Sequence, residues 1–188
     1  GDTAPSDDAD NWMDWIDRDK YEPRPNAQPG AWLPVMRLHG SSDESDSAGK
    51  RVVLQTMKWG LYPHYKKEPP GSGAHFQMFN ARSEDGVKSQ KRLVGHKHCV
   101  VISAGFYEFK EVAGRAPGVF TGPKTHKQGY FVHFNGSSAP MHFAGLYDTW
   151  RPKDDPAAAP LYTCTILTTE PSEKLRWLHN RMPVILDS

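Results

Sequence analysis

Four short segments carry side chains able to do chemistry. Glu108 stands between Tyr107 and Phe109, after the apolar run Cys99-Val100-Val101-Ile102 and the small residues Ser103, Ala104 and Gly105. A carboxylate flanked by aromatic rings is expected to be partly desolvated, which favours its protonated form and suits a general acid or base. A solvated glutamate at a strand end is the alternative that the local sequence leaves open. Asn80-Ala81-Arg82-Ser83-Glu84 gathers an amide, a guanidinium and a carboxylate in five positions. Asn80 suits the positioning of a small polar group, and Arg82 the two-pronged grip of a phosphate. A helix capped near Ser83 explains part of the same composition. His179 and Arg181 follow a predicted short helix and precede a strand, a usual setting for functional side chains. Finally, Trp59-Gly60-Leu61-Tyr62-Pro63-His64-Tyr65 leads into Lys66 and Lys67. Aromatic rings interleaved with cations suit stacking on single-stranded bases beside phosphates. Burial of Trp59 in the core beside a turn stands equally open.

The elements that must hold these groups are short and mostly extended. Strands are predicted over 33–38, 51–59, 99–102, 130–134, 141–146 with 147–150 ending it, and 161–168. The run Cys99 to Ile102 reads as a strand covered on both faces. Residues 21–34 are Pro-rich and extended, 40–50 form a hairpin loop, and the stretch after Glu108 as far as Gln128 reads as a Gly/Pro/Lys loop. Trp12, Trp15 and Ile16 share a face at helical spacing, which predicts a short helix docked on the body. Ser172 to Leu178 predicts a second short helix, with Pro171 near its start.

Composition sets the bounds. A chain of 188 residues suits one domain with a sizeable core. Hydrophobic residues make up 37%, with 16 Gly and 16 Pro, which points to many short elements and away from a helical bundle. The net charge of +1 does not by itself announce a nucleic-acid partner, so any such partner must be met by a local patch. Two cysteines make no disulfide framework. Cys164 reads as a small buried hydrophobe. His96-x-His98-Cys99 is discounted as a metal site, because no further His or Cys cluster stands ready to complete four ligands. No apolar run is long enough to span a membrane as a helix, so an intracellular protein is expected, nuclear in a eukaryote and cytoplasmic in a bacterium.

Taken together, Trp59-Gly60-Leu61 with Pro63, Asn80-Ala81-Arg82-Ser83-Glu84, Gly105-Phe106-Tyr107-Glu108 and His179-Asn180-Arg181-Met182-Pro183 resemble, in order and spacing, the SOS-response-associated peptidase family. Its members shield abasic sites in single-stranded DNA. Tyr21-x-Pro23-x-x-Asn26-x-x-Pro29 resembles the family's early Asn-x-x-Pro segment. The resemblance implies one mostly-β domain of short antiparallel strands with a few helices, spanning residues 1–188. It implies an N-terminal cysteine, exposed by removal of the initiator Met, whose amine and thiol capture the abasic aldehyde as a thiazolidine. It further implies Asn80, Glu108 and His179 as active-site residues, with Glu108 moving the amine's protons and His179 protonating the sugar oxygen. Arg82 and Arg181 are implied as phosphate ligands, and Asn26 and Trp59 as further contacts to DNA. No cofactor is implied, and a monomer is expected.

The family begins Met-Cys-Gly-Arg and continues beyond its Met-Pro-x-Ile-Leu segment, whereas this chain runs from Gly1-Asp2-Thr3 to Ser188. The expectation is therefore a domain incomplete at both ends and inactive as it stands. Two other readings remain: a non-catalytic single-stranded-DNA module, and a hydrolase using Glu108 and His179 as acid and base on a small substrate.

Overall fold

The computed structural model describes residues 14–39, 51–67, 70–71, 78–84, 90–118, 121–136 and 138–187. Eleven strands follow in order: β1 (Trp15–Ile16), β2 (Trp32–His39), β3 (Arg51–Trp59), β4 (Asn80–Arg82), β5 (His98–Ser103), β6 (Phe106–Ala113), β7 (Thr125–Val132), β8 (Met141–Trp150), β9 (Leu161–Thr169), β10 (Met182–Pro183) and β11 (Ile185–Leu186). Among the described residues, nine of them form one sheet, and β6 and β7 form a separate two-stranded ribbon. The order β3-β2-β5-β8-β9 closes on itself, because β9 also pairs with β3 through Lys58↔Thr163 and Trp59↔Cys164. Closure leaves neither strand with an unpaired edge there.

Alternation along these strands explains the core. Val35, Met57, Cys99, Val101, Met141, Phe143, Cys164 and Ile166 point inward and pack together. Burial pushes both thiols up, Cys164 to about 12, so neither is a thiolate near neutral pH. On β5 only every second residue is fully buried; Val100 and Ile102 are half-covered, as expected of a barrel wall rather than a strand sandwiched on both faces.

Several expectations need correction. Among the described residues the helical content is a 3-10 turn at Arg18–Lys20 and helical backbone at Ser83 and Glu84. Residues 172–178 form successive turns, with N–H groups reaching back three or four residues to Ser172 and Leu175. Seven residues after Pro171 are too few to offset the cost of helix nucleation. Trp15 and Ile16 form a parallel strand on β3 in place of a helix, held by Leu54 N–H to Asp14 C=O at 2.9 Å and Trp15 Nε1–H to Thr56 Oγ1 at 3.1 Å. Trp12 and the predicted loop over 40–50 lie outside the described residues. The sheet is mainly antiparallel, but β1–β3, β3–β9 and β4–β9 run parallel. The predicted loop after Glu108 is largely a hairpin, in which Glu111 and Lys127 face one another as an opposite-charge pair. Among the described residues no helix is long and apolar enough to cross a membrane.

Candidate functional site

The site begins where β5 gives way to β6. Ser103 Oγ–H donates to the Gly105 carbonyl at 2.7 Å and accepts the Gly105 N–H at 3.3 Å, fixing the bend between the two strands. Gly105 has no room for a side chain: a Cβ there would lie 2.3 Å from the Val132 carbonyl oxygen and 2.8 Å from the Phe131 ring. The chain therefore leaves the barrel and enters the ribbon at a contact only glycine allows. Phe106 anchors the ribbon on the barrel, edge-to-face with Phe143 at 6.0 Å.

On β6, Phe106, Glu108 and Lys110 are half-buried, and Tyr107, Phe109 and Glu111 are exposed. The rings expected to desolvate Glu108 thus lie on the opposite face, because successive strand residues alternate. Glu108 faces inward for another reason: it shares its face with Phe106 and Lys110 and lies directly across from Tyr130. One of its oxygens, Oε1, accepts the Phe109 N–H at 3.0 Å and stands 3.8 Å from His179 Nε2. The His179 side chain is 42% exposed and that of Glu108 25%. The Arg181 N–H donates to His179 Nδ1 at 3.1 Å. A ring nitrogen that accepts carries no proton, so the neutral ring holds its proton on Nε2, towards Glu108.

A cavity of about 820 Å³ joins these groups. Its lining includes Asn26, Trp59, Asn80, Glu108, His179 and Arg181, together with Thr168, Phe131 and the Pro-rich segment 21–29. Six of the seven residues that the sequence nominates therefore share one cavity. Arg82 is not part of its lining. It is exposed on the same side of β4 as Asn80, two positions further on. Trp59 is packed on the core and borders the cavity as well. Its Nε1–H donates to the Phe79 carbonyl at 2.8 Å.

Arg181 is already engaged. Its guanidinium grips Glu84 with two bonds of 3.0 and 2.9 Å and also donates to the Thr168 carbonyl. The Arg181 hydrogen bonds lower the Glu84 carboxyl to about 2. Glu84 is the partner that sequence reasoning left without a role, although the motif contained it. Phe131 and Thr168 carried no signal beyond strand propensity. Among the described residues no group of three or more His, Cys, Asp or Glu is placed to hold a metal ion.

The model of the SOS response associated peptidase (SRAP) family matches residues 3–188. The abasic site processing protein HMCES of Xenopus tropicalis is 31% identical over 197 residues, covering 94% of this chain and 54% of that protein. The Bacillus subtilis abasic site processing protein YoaM is 31% identical over 180 residues, covering 94% of this chain and 70% of that protein. This chain thus spans about half the length of the vertebrate relatives it matches. A crystal structure of a protein from Bacteroides thetaiotaomicron superposes with a TM-score of 0.59 at 23% identity, covering 84% of this chain and 60% of that one. One from Bordetella bronchiseptica gives 0.58 at 21% identity, covering 86% and 71%. At those identities the two structures speak for the fold. Motif order, a family match over nearly the whole chain and a shared fold agree: this chain belongs to the SOS response associated peptidase family.

Proposed function

We propose that this domain recognises abasic sites in single-stranded DNA. In the full-length protein, an N-terminal cysteine then captures the opened sugar as a thiazolidine. The observation that carries the reading is the 3.8 Å approach of Glu108 and His179 in a cavity that Asn80 and Trp59 also line. The names of the relatives, abasic site processing proteins in vertebrates and bacteria, support it. So does the state of the two internal cysteines, which are buried, unionised and out of reach of a sugar. The terminal nucleophile is the one that the family resemblance implies.

A ring-closed abasic sugar hides its aldehyde. Opening it breaks C1′–O4′, adds a proton to O4′ and removes one from the 1′-hydroxyl. With Nδ1 occupied by the Arg181 N–H, His179 meets the substrate through Nε2–H and holds O4′. Glu108, beside it, delivers the proton in its acid form, and the 1′-hydroxyl gives its own to water. The acid role that the family resemblance gives to His179 alone is thus shared by the pair. Glu108, now a carboxylate, takes a proton from the attacking amine and passes it to the carbonyl oxygen, making the hydroxyl. The proton released as the thiol ionises completes the water that departs and leaves the protonated imine. The thiolate then adds to the imine carbon and closes the five-membered ring. One water leaves for each aldehyde captured. Removal of the initiator residue uses the same carboxylate to activate water. Arg82 and Asn26 contact the strand, and Arg181 reaches a phosphate by exchanging its Glu84 partner.

Full-length protein is mixed with a single-stranded oligonucleotide bearing one abasic site, and heat-stable adducts are followed on a denaturing gel. Glu108→Gln and His179→Ala should each slow adduct formation at least about tenfold, roughly 1.4 kcal/mol of barrier. The double variant should lose less than the two losses combined. Wild-type rates in both single variants would remove the pair from the mechanism.

A further inference from the structure

A second, smaller cleft adjoins the cavity. It measures about 420 Å³ and is lined by Lys20, Glu22, Arg24, Trp32 and Lys58 with the 28–31 backbone segment. Glu22, Arg24, Gln28, Pro29 and Trp32 line both spaces, so the two adjoin at these residues. Trp32 opens β2, and Lys58 is its cross-strand partner on β3. Lys20 arrives from the 3-10 turn. The Lys20 and Lys58 ammonium groups each stand 5.5 Å from the centroid of the Trp32 ring. An indole face attracts a cation and supports its aliphatic stem, so Trp32 gathers two positive charges at one point. Lys20, Arg24 and Lys58 are the cations lining the cleft. Arg24 pairs with Glu22 at 2.8 Å, and Lys20 pairs at 2.8 Å with Asp17, a partner that a phosphate would exchange.

We propose that this cleft is a second subsite of the nucleic-acid groove. It holds phosphodiester groups of the strand that leaves the Glu108 cavity past Pro29, gripped by Lys20 and Lys58 on the Trp32 platform. The assignment rests on the reading of the larger cavity as a single-stranded DNA site. The chemistry fits: ammonium groups donate only, phosphate oxygens accept only, and shared residues border both spaces. Extended single-stranded grooves elsewhere combine cations with aromatic platforms in this way.

The test uses full-length protein and fluorescent oligonucleotides carrying a stable abasic analogue. One set has the lesion at the 5′ end, one at the 3′ end and one in the centre, and a three-nucleotide strand spans the lesion alone. Binding is measured across a salt series. Each phosphate neutralised on a single strand contributes about −0.7 to the slope of log K against log salt. Replacing both lysines (Lys20→Ala with Lys58→Ala) should therefore flatten the slope by about 1.4. Over a fourfold rise in salt, wild type should then lose about sevenfold more affinity than the variant. The loss should appear for the central lesion and for only one of the end-placed lesions, and be absent on the three-nucleotide strand. Lys20→Arg with Lys58→Arg should keep the wild-type slope, which separates charge from packing. Inorganic phosphate and a mononucleotide, titrated against the intrinsic tryptophan fluorescence, form the other arm. Saturable binding of either, lost in the alanine pair and without any strand-length effect, would make the cleft a free-phosphate site and overturn the proposal. If wild type binds strands but the alanine pair keeps both slope and length dependence, the cleft assignment alone fails. If wild type binds no lesion strand, both readings fail.

Discussion

Two carboxylates each follow a tyrosine on a strand and lead opposite lives. Tyr107-Glu108-Phe109 and Tyr147-Asp148-Thr149-Trp150 both set an acid among aromatic residues on a strand. Asp148 is fully buried in the face of β8 and is saturated with donors. Lys97 Nζ reaches it at 2.8 Å, Arg92 Nη2 at 2.9 Å, the His64 N–H at 2.9 Å and the Thr149 N–H at 2.9 Å. Burial pushes this carboxyl up. The Lys97 bond, the His64 N–H, the Arg92 bond and the Thr149 N–H outweigh it and hold the group well below the usual carboxylate range. Glu108 has one backbone N–H and one imidazole at 3.8 Å, and it opens on a cavity. A carboxylate with every lone pair occupied has no capacity to trade protons. One that is half-buried and under-partnered retains it. The first is a structural rivet that pins the turn after Trp59 to the barrel; the second faces a cavity with room for a further partner.

The comparison breaks most sharply at Asp148. Asp148→Ala strands Lys97 and Arg92 without their counter-charge. Removing one partner of a buried pair costs about 3–5 kcal/mol, and the low end applies here because both cations can rehydrate. Urea unfolding should show the midpoint falling with an unchanged slope, whereas Glu108→Gln should stay within about 0.5 kcal/mol of wild type. The pH dependence follows from the sign of the shift. Asp148 has a lower folded than unfolded pKa, so its contribution is fully present above about pH 4 and is lost as pH falls through the folded value. Glu84, lowered to about 2, acts in the same direction. Wild-type stability should therefore drop as pH falls from about 4 towards 2, and Asp148→Asn should flatten that drop.

Gly105→Ala tests the other carboxylate through its support. A Cβ meets the Val132 carbonyl oxygen and the Phe131 ring, so the ribbon must shift. Overpacking of this kind costs about 1–3 kcal/mol. Adduct formation should fall further than stability alone explains, because Glu108 moves with the ribbon. Equal stability and an equal rate would show that the close approach at Gly105 does not set the position of Glu108.

The smallest effect sharpens the comparison. Trp177, two residues before His179, packs edge-to-face on Tyr130 at 5.0 Å, and the Lys110 ammonium stands 5.0 Å from its ring. Tyr130 is the cross-strand partner of Glu108, and Lys110 shares its face. Trp177 is thus a positioning residue that registers the His179 turn against the ribbon. An exposed aromatic pair is worth about 0.5–1.5 kcal/mol. Trp177→Ala should lower stability by no more than that and slow adduct formation severalfold, with Trp177→Phe restoring the rate. A stability loss with an unchanged rate would leave Trp177 a purely structural contact.

Much was legible in the sequence because it is local. Short apolar and β-branched runs marked the barrel strands, from Leu33 through Thr168, within a residue or two of their observed ends. Four motifs in fixed order, with the early Asn26 segment, nominated seven residues, six of which line one cavity. Of the small residues at 103–105, Gly105 is the one that a neighbouring strand approaches closely. What failed depended on partners far along the chain. Trp15 and Ile16 have helical spacing, yet an open edge of β3 about forty residues away captures them as a strand. Residues 109–113 looked like a loop until β7 supplied their hydrogen bonds. Tyr107 and Phe109 looked like the desolvating neighbours of Glu108 until strand pleating turned them to the other face.

The sequence by itself determined that this chain is mostly β, which family it resembles and which side chains are equipped for chemistry, since composition, alternation and motif order are properties of neighbours along the chain. Only the tertiary structure decided that Glu108 meets His179 while Asp148 is locked among Lys97, Arg92 and His64, and that Arg181 is gripped by Glu84. The physical reason is that a carboxylate's role is set by how many donors surround it and how much water reaches it. Those donors come from strands and turns tens of residues away, brought together when β9 closes the barrel on β3.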